Sequence, residues 1–293
     1  MSRQPVVVTP AVLRDWPLPR PGSGKEARGE VLVLGGSRST PGAVLLAGEA
    51  ALRAGAGKLV LATVEDAVAS LGVAVPEAAV VALPRGDGDD LAASAADVLR
   101  DWLESADVLV AGPGLTDPGI AEQLVGAVVP DLDAFLVLDA LGSAYVTEHP
   151  EGLHHLEGRV VLTVNPDELA RTAHCDLSEV EDDPVGPAVR VAERSRVVVL
   201  CGGSDKHVVT PDGCTWTIQG GGPGLGVSGS GDAQAGIVGG LLARGADPSQ
   251  AAVWGAYVHA RAGERLAAEV GTVGYLARDI PPQVPAVLSE LSS

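Results

Sequence analysis

The sequence predicts an α/β layer sandwich on a mostly parallel central sheet, and three observations carry that reading. Short runs rich in Val and Leu alternate with longer small-residue stretches of helical period, the pattern of strands covered by helices on both faces. The 293 residues are 46% hydrophobic and 20% charged, and the apolar content is almost entirely Ala, Val and Leu, with aromatics at 3%. Glycine reaches 38 residues, which suits tight turns between buried parallel strands better than a solvent-faced antiparallel sheet. The expectation is some eight parallel strands with a C-terminal β-hairpin, in one domain over residues 1–293, with residues 1–23 as an N-terminal extension.

After a proline-rich entry (Pro17, Pro19, Pro21), EVLVLGG at residues 30–36 reads as a buried strand ending in glycine. GAVLLAGEAALRAGA, residues 42–56, has helical period and a glycine stop, and feeds KLVLAT at 58–63. Such a strand–helix–strand unit crosses over right-handed in a parallel sheet. DVLVA (107–111), closed by Gly112-Pro113-Gly114, FLVLD (135–139) and residues 160–163 continue the alternation. The next helix has a marked start: Asn165 as N-cap, Pro166 at the first position, and Glu168 where a capping-box carboxylate reaches back. RVVVL (196–200) leads to strands at 206–210 and 214–218 around Pro211-Asp212-Gly213, a hairpin signal. Long Ala-rich helices at 232–244 and 248–269 close the chain, and residues 87–90 and 179–187 read as acidic loops.

Lys and Arg total 20 against 38 Asp and Glu, a net charge of −18. Such a field repels phosphate backbones and anionic lipid, which argues against nucleic-acid and membrane partners. Cys175, Cys201 and Cys214 lack metal-type spacing, and no stretch resembles a signal peptide or a membrane span, so a reducing, cytoplasmic setting is expected.

The chemistry concentrates in GGGPGLGVSGSGDAQAG, residues 220–236, a glycine-dense loop running into a helix. Small residues let backbone N–H groups converge, and the helix N-terminus adds unpaired donors, making an anion site. Asp232 in the first turn is either a capping carboxylate or one placed to take a proton from a hydroxyl attacking a phosphoryl group.

Gly229-Ser230-Gly231-Asp232 resembles the G-x-G-D signature of the ribokinase-like superfamily. Within it, the chain most resembles the ADP/ATP-dependent NAD(P)H-hydrate dehydratases, equivalent to the C-terminal half of bifunctional YjeF-type proteins. Gly29–Gly36 with Ser37 and Pro41-Gly42-Ala43, the A-x-R-x-G-x-G-x-L stretch from Ala51 to Leu61, Gly112-Pro113-Gly114-Leu115, the strand ending Leu138-Asp139-Ala140 and Tyr257-Val258-His259 carry the likeness collinearly. The resemblance implies a ribokinase-like three-layer α/β/α sandwich. It implies that ATP or ADP phosphorylates the ring hydroxyl of hydrated NADH or NADPH, and that loss of phosphate restores the dihydronicotinamide. It places Asp232 as catalytic carboxylate, and Ala43, Gly114, Asn165 and Asp232 at the hydrated dinucleotide. Cys201, Gly202, Gly203, Ser204 and Asp205 fall along the nucleotide, with Gly229, Ser230 and Gly231 at the phosphoryl group. A homo-oligomer such as a tetramer and functional pairing with a separate NAD(P)HX epimerase are also implied.

The chain departs from the family pattern at several points. Thr163-Val164-Asn165-Pro166-Asp167-Glu168 stands where the family has T-P-H-P-G-E, and the usual lysine of its L-K-G is Cys201. Asn165 and Glu168 recreate the N-x-x-E pattern of sugar and vitamin kinases, where the Glu positions Mg²⁺ through water; a plain helix cap explains the same spacing. Two rival readings follow: a small-molecule kinase, and a catalytically weak nucleotide-binding paralogue. With Lys25, Lys58 and Lys206 the only lysines, phosphate binding is expected to rest on glycine-loop amides, a helix terminus and Mg²⁺. Asp139 reads as a strand end or a ligand contact, His154, His155 and His174 as solvated loop residues, His259 as packing, and Cys201 as a small buried hydrophobe. The four tryptophans read as core or interface filling.

Overall fold

Strands apolar on both faces stack side by side into one ten-stranded sheet. The computed structural model describes residues 5–20, 22–86 and 88–291, so Pro21, Asp87 and residues 1–4 of the expected N-terminal extension lie outside the described residues. The strands are β1 (Val6–Val7), β2 (Glu30–Leu34), β3 (Lys58–Val64), β4 (Ala78–Leu83), β5 (Val108–Ala111), β6 (Phe135–Asp139), β7 (Val160–Val164), β8 (Val198–Cys201), β9 (Lys206–Val209) and β10 (Thr215–Ile218). Their order is β1-β10-β9-β8-β7-β6-β5-β2-β3-β4. From β8 to β4 all pairs are parallel. Only β9 opposes the common direction, since β10 turns back beside it and β1 runs parallel to β10.

Two strands escape the sequence pattern. β1 is two residues long, and β4 is an Ala-rich edge strand whose half-exposed face blurs the apolar run. The stretch 179–187 is not a loop: it forms parts of helices Leu177–Asp182 and Val185–Ser195. The Asp183 carboxylate between them accepts from the amides of Val185 and Gly186 at 3.0 and 3.2 Å. A third C-terminal helix, Ile280–Leu291, follows the two expected ones; Pro281 and Pro282 fall in its first turn, where no N–H is missed, although Pro285 lies inside. The proline-rich entry docks on the sheet edge. Trp16 stacks on Trp216 of β10 with centroids 5.8 Å apart, and its carbonyl accepts from Trp254 Nε1 at 3.0 Å. Among the described residues no helix is long and apolar enough to cross a membrane.

The chain passes from β2 outward to β3 and β4, then returns to the other side of β2 with β5 and proceeds outward again. That reversal between β2 and β5 opens a crevice at the carboxyl ends of the strands, where open α/β sheets bind ligands. Glycines make it possible. Gly36 and Gly112 adopt φ of 73° and 121°, the Gly36 amide donates to the Pro113 carbonyl at 2.7 Å, and a Cβ at Gly112 would lie 1.9 Å from the Asp139 carbonyl oxygen.

Small residues also explain how the helix that carries Asp232 is held. Helix Ser230–Ala243 is buried nearly all round, against helices Gly42–Ala54 and Pro248–Glu269 and against the sheet. A Cβ at Gly236 would come within 2.0 Å of the Ala47 carbonyl oxygen, and one at Gly240 within 2.3 Å of that of Ala51. The scarcity of aromatics and abundance of Ala and Gly thus follow from backbones in near contact. Gly236→Ala is expected to destabilise the fold by about 1–3 kcal/mol through overpacking, read as a lowered melting temperature in circular dichroism; unchanged melting would contradict this close approach.

Candidate active site

The crevice at the β2/β5 reversal widens into a cleft of about 1210 Å³. One wall comes from the switch-point turns: Thr40, Gly42, Ala43 and Gly114. Thr40 Oγ1 donates to the Gly114 carbonyl at 2.7 Å, and Gly114 itself has φ of 73° with the Ala43 methyl close above it. Asp90, read from sequence as part of an acidic loop, is buried and anchors the next turn. Its carboxylate accepts from the Thr116 amide and hydroxyl at 3.0 Å and also from the Asp117 amide.

The floor is set by the ends of β6 and β7. Asp139 closes β6, is buried, and accepts from Thr163 Oγ1 at 2.6 Å. Asn165 and Glu168 form the expected capping box: the Glu168 amide donates to Asn165 Oδ1, and the Asn165 amide to Glu168 Oε2, each at 2.9 Å. Both also line the cleft. The box satisfies the orphan donors of the helix start, which is sufficient reason for the N-x-x-E spacing.

Opposite lies the glycine loop. Gly220, Gly221, Gly222 and Gly229 all take positive φ, and a Cβ at Gly220 would overlap the Glu264 carboxylate, which accepts from the Gly221 amide at 3.3 Å. The loop delivers Gly229, Ser230, Gly231 and Asp232 to the cleft as the first turn of helix Ser230–Ala243. Behind it, buried His259 places Nε2 3.0 Å from both the Ser230 hydroxyl and the Ser230 carbonyl oxygen. The carbonyl can only accept, so Nε2 carries the proton. Burial and the neighbouring Lys206 push this histidine well below its ordinary pKa, so it is neutral.

Three carboxyls share the cleft, and their environments separate them. Burial, with the Glu168 charge second, raises Asp232 to about 6. Asp139 is raised well above its ordinary value by burial and then by the Asp232 charge. Glu168 is raised by burial against the opposing pull of its hydrogen bond from Asn165. With its pKa at about 6, Asp232 is mostly ionised at neutral pH and poised to exchange a proton there.

Of the residues singled out from sequence, the structure brings together Ala43, Gly114, Asn165, Glu168, Gly202, Gly203, Ser204, Gly229, Ser230, Gly231 and Asp232. Cys201 and Asp205 are not among those lining the cleft. Cys201 is a fully buried β8 residue whose thiol points to the Gly202 carbonyl at 3.3 Å, and burial pushes its pKa to about 12, so it packs as an inert hydrophobe. Asp205 is partly exposed beside Lys206 and acts on it by charge alone.

Sequence reasoning passed over Thr40, Gln234 and above all Lys206, which lines the cleft with only 4% of its surface exposed. The expectation places phosphate on glycine-loop amides, a helix terminus and Mg²⁺; the structure adds that one of the three lysines stands inside the site. Its placement depends on which face of β9 it occupies, a register set by the sheet. Of the histidines expected as solvated, His155 is exposed and His154 half-buried, and each also binds a backbone carbonyl, that of Arg194 from His154 at 2.9 Å and that of Val129 from His155 at 3.0 Å. His174 caps helix Pro166–Ala173 in the left-handed conformation. Among the described residues no group of three or more His, Cys, Asp or Glu side chains could hold a metal ion.

Sheet topology, glycine loop and a carboxylate at a helix N-terminus define a ribokinase-like α/β protein. The NAD(P)H-hydrate dehydratase family profile matches residues 31–285, and the chain belongs to that family. It is 45% identical over 285 residues to an ADP-dependent (S)-NAD(P)H-hydrate dehydratase of Xanthomonas campestris, covering 97% of this chain and 96% of that one. It is 33% identical over 263 residues to a bifunctional NAD(P)H-hydrate repair enzyme of Moorella thermoacetica, covering 90% of this chain but only 50% of the relative. The crystal structure of the ADP/ATP-dependent NAD(P)H-hydrate dehydratase of Bacillus subtilis, co-crystallised with ATP and Mg²⁺, superposes with a TM-score of 0.81 at 25% identity, over 98% of this chain and 99% of that one.

Proposed function

We propose that the cleft converts (S)-NADHX and (S)-NADPHX back to NADH and NADPH at the expense of ADP or ATP. The observation that carries this reading is the convergence of the helix N-terminus at Gly229–Asp232 with the glycine turns of the β2/β5 reversal on one cleft. The hydrated nicotinamide enters beside Ala43 and Gly114, where a methyl and a bare backbone allow close approach. The nucleotide lies along Gly202, Gly203 and Ser204, and its terminal phosphoryl group meets the amides of Gly229–Gly231. Asp232 takes the proton of the ring hydroxyl as its oxygen attacks phosphorus, while amides and helix dipole stabilise the equatorial oxygens. Transfer releases AMP from ADP or ADP from ATP; phosphate then leaves the ring more readily than hydroxide would, and its departure with a proton from the adjacent ring carbon restores the dihydronicotinamide double bond.

Mg²⁺ bound to the phosphates would neutralise their charge, and it suits this donor set. Magnesium keeps most of its waters and needs only one or two carboxylates beyond the phosphate oxygens, and Glu168 is placed to meet such a water. The kinase reading rests on the same Asn165 and Glu168 pair, whose spacing the helix cap also explains. We further propose a cytoplasmic homo-oligomer working after a separate epimerase that supplies the S form. The test is incubation with NADHX and Mg²⁺, with ADP and ATP in parallel, following dihydronicotinamide absorbance. Nucleotide-dependent recovery is expected; no turnover with either nucleotide would sink the reading, and a stable phosphorylated product would favour a kinase.

A further inference from the structure

We propose that Lys206 is the cation that holds the phosphate chain of the bound nucleotide. The inference rests on the reading that a nucleoside di- or triphosphate occupies the cleft, and it adds a residue that neither motif nor capping pattern marks.

Strand β9 packs against helices Val185–Ser195 and Pro248–Glu269, and the Lys206 charge acts on Glu264 and His259 of the second, so its side chain lies on that helix's face of the sheet. It is nearly fully buried and borders the cleft together with Ser230 and His259. Among the described residues its ammonium forms no ion pair or hydrogen bond, in a chain where acidic residues outnumber basic ones almost two to one. Two carboxylates lie near enough to act on it by charge, and neither forms an ion pair with it. Glu264 accepts from the Gly221 amide and pairs with Arg261, while Asp205 is partly exposed.

A buried ammonium without a counter-ion is costly, and folding tolerates one where a ligand supplies the missing charge. Lys206 fits that case. Burial holds its pKa near 8, with Asp205 and Glu264 only partly offsetting the loss of water, so it titrates close to neutrality until an anion arrives. The anion it can meet is defined by its surroundings. Gly202, Gly203 and Ser204 precede it on the nucleotide side, and the Ser230 turn lies on the phosphoryl side. A diphosphate bridging those two groups passes the ammonium. The neutral state of His259 has the same logic, since a second cation beside Lys206 would compete for one buried space.

The test is isothermal titration of ADP into wild-type protein, K206M, K206Q and K206R. K206M and K206Q are expected to bind ADP about tenfold or more weakly, and K206R to stay within about threefold of wild type, because the interaction removed is a charge-assisted one. The melting temperature without nucleotide should not fall in K206M, which discards a buried charge but keeps its length. If K206M misfolds, K206Q carries the comparison. Wild-type affinity in K206M or K206Q, or a loss in K206R as large as in either, overturns the assignment. Wild-type protein that binds neither ADP nor ATP overturns the nucleotide reading and this assignment with it.

Discussion

Replacing Asp232 by Asn is expected to cut NADHX turnover by about 10³-fold while leaving ADP binding intact or tighter. The carboxylate stands in the first turn of helix Ser230–Ala243, at the phosphoryl end of the cleft, and asparagine keeps its size but cannot take the hydroxyl proton. Without the negative charge, the phosphates meet less repulsion. The pKa of about 6 fixes the pH profile: kcat/KM falls about tenfold per unit as pH drops below 6 and Asp232 becomes protonated. Stability moves in the opposite direction. Because the folded pKa is raised above that of the unfolded chain, the native state holds this proton more tightly. The group's destabilising effect is absent in acid, grows as pH rises from about 4 to 6, and is fully present above 6. Asp232→Asn removes it, so the variant should melt higher than wild type at pH 7. Turnover within a few-fold of wild type would remove Asp232 from the chemistry, and a lower melting temperature would show that the carboxylate serves the fold.

What could be read in advance follows from the range of the forces involved. The parallel strands were legible because burial on both faces imposes continuous Val and Leu runs such as EVLVL and FLVLD, and β6 occupies residues 135–139 as read. The capping box at Asn165 and Glu168 was legible because its two hydrogen bonds close within four residues. Asp232 and its glycines were legible because an anion cradle needs consecutive small residues. Lys206 was not. Its burial is decided by strand alternation on β9 and by helix Pro248–Glu269, some fifty residues further on, and nothing local distinguishes it from a solvated lysine. Asp90 escaped for the same reason, since its donors at Thr116 and Asp117 are brought to it only by the β5 turn. Cys201 shows the converse: it stands where a nucleotide motif has lysine, reads as a small buried hydrophobe, and is carried by β8 into the core.

Gly231→Ala is expected to leave the fold intact and still lower turnover by about 10²-fold, the scale of losing one backbone donor to a developing oxyanion. The argument turns on where a methyl group would go. Gly231 lies in the first turn of helix Ser230–Ala243, and a Cβ built on it meets no atom within 4 Å. Alanine suits a helix better than glycine, so the melting temperature should hold or rise slightly. The free space around that Cβ is the cleft itself. Oxygens of a phosphoryl group must come within about 3 Å of the amides at this turn to be stabilised, and the methyl would keep them away. The same substitution five residues along, at Gly236, drives its methyl into the Ala47 carbonyl and acts on the fold. The two variants therefore separate what a single helix does with its glycines: its middle packs against a neighbouring backbone, and its start leaves room for a ligand. The expected pattern is a raised nucleotide KM and lowered kcat for Gly231→Ala at unchanged melting temperature, and lowered melting temperature for Gly236→Ala. Wild-type kinetics in Gly231→Ala would mean that the transferred phosphoryl group sits elsewhere in the cleft than over the Gly229–Gly231 amides.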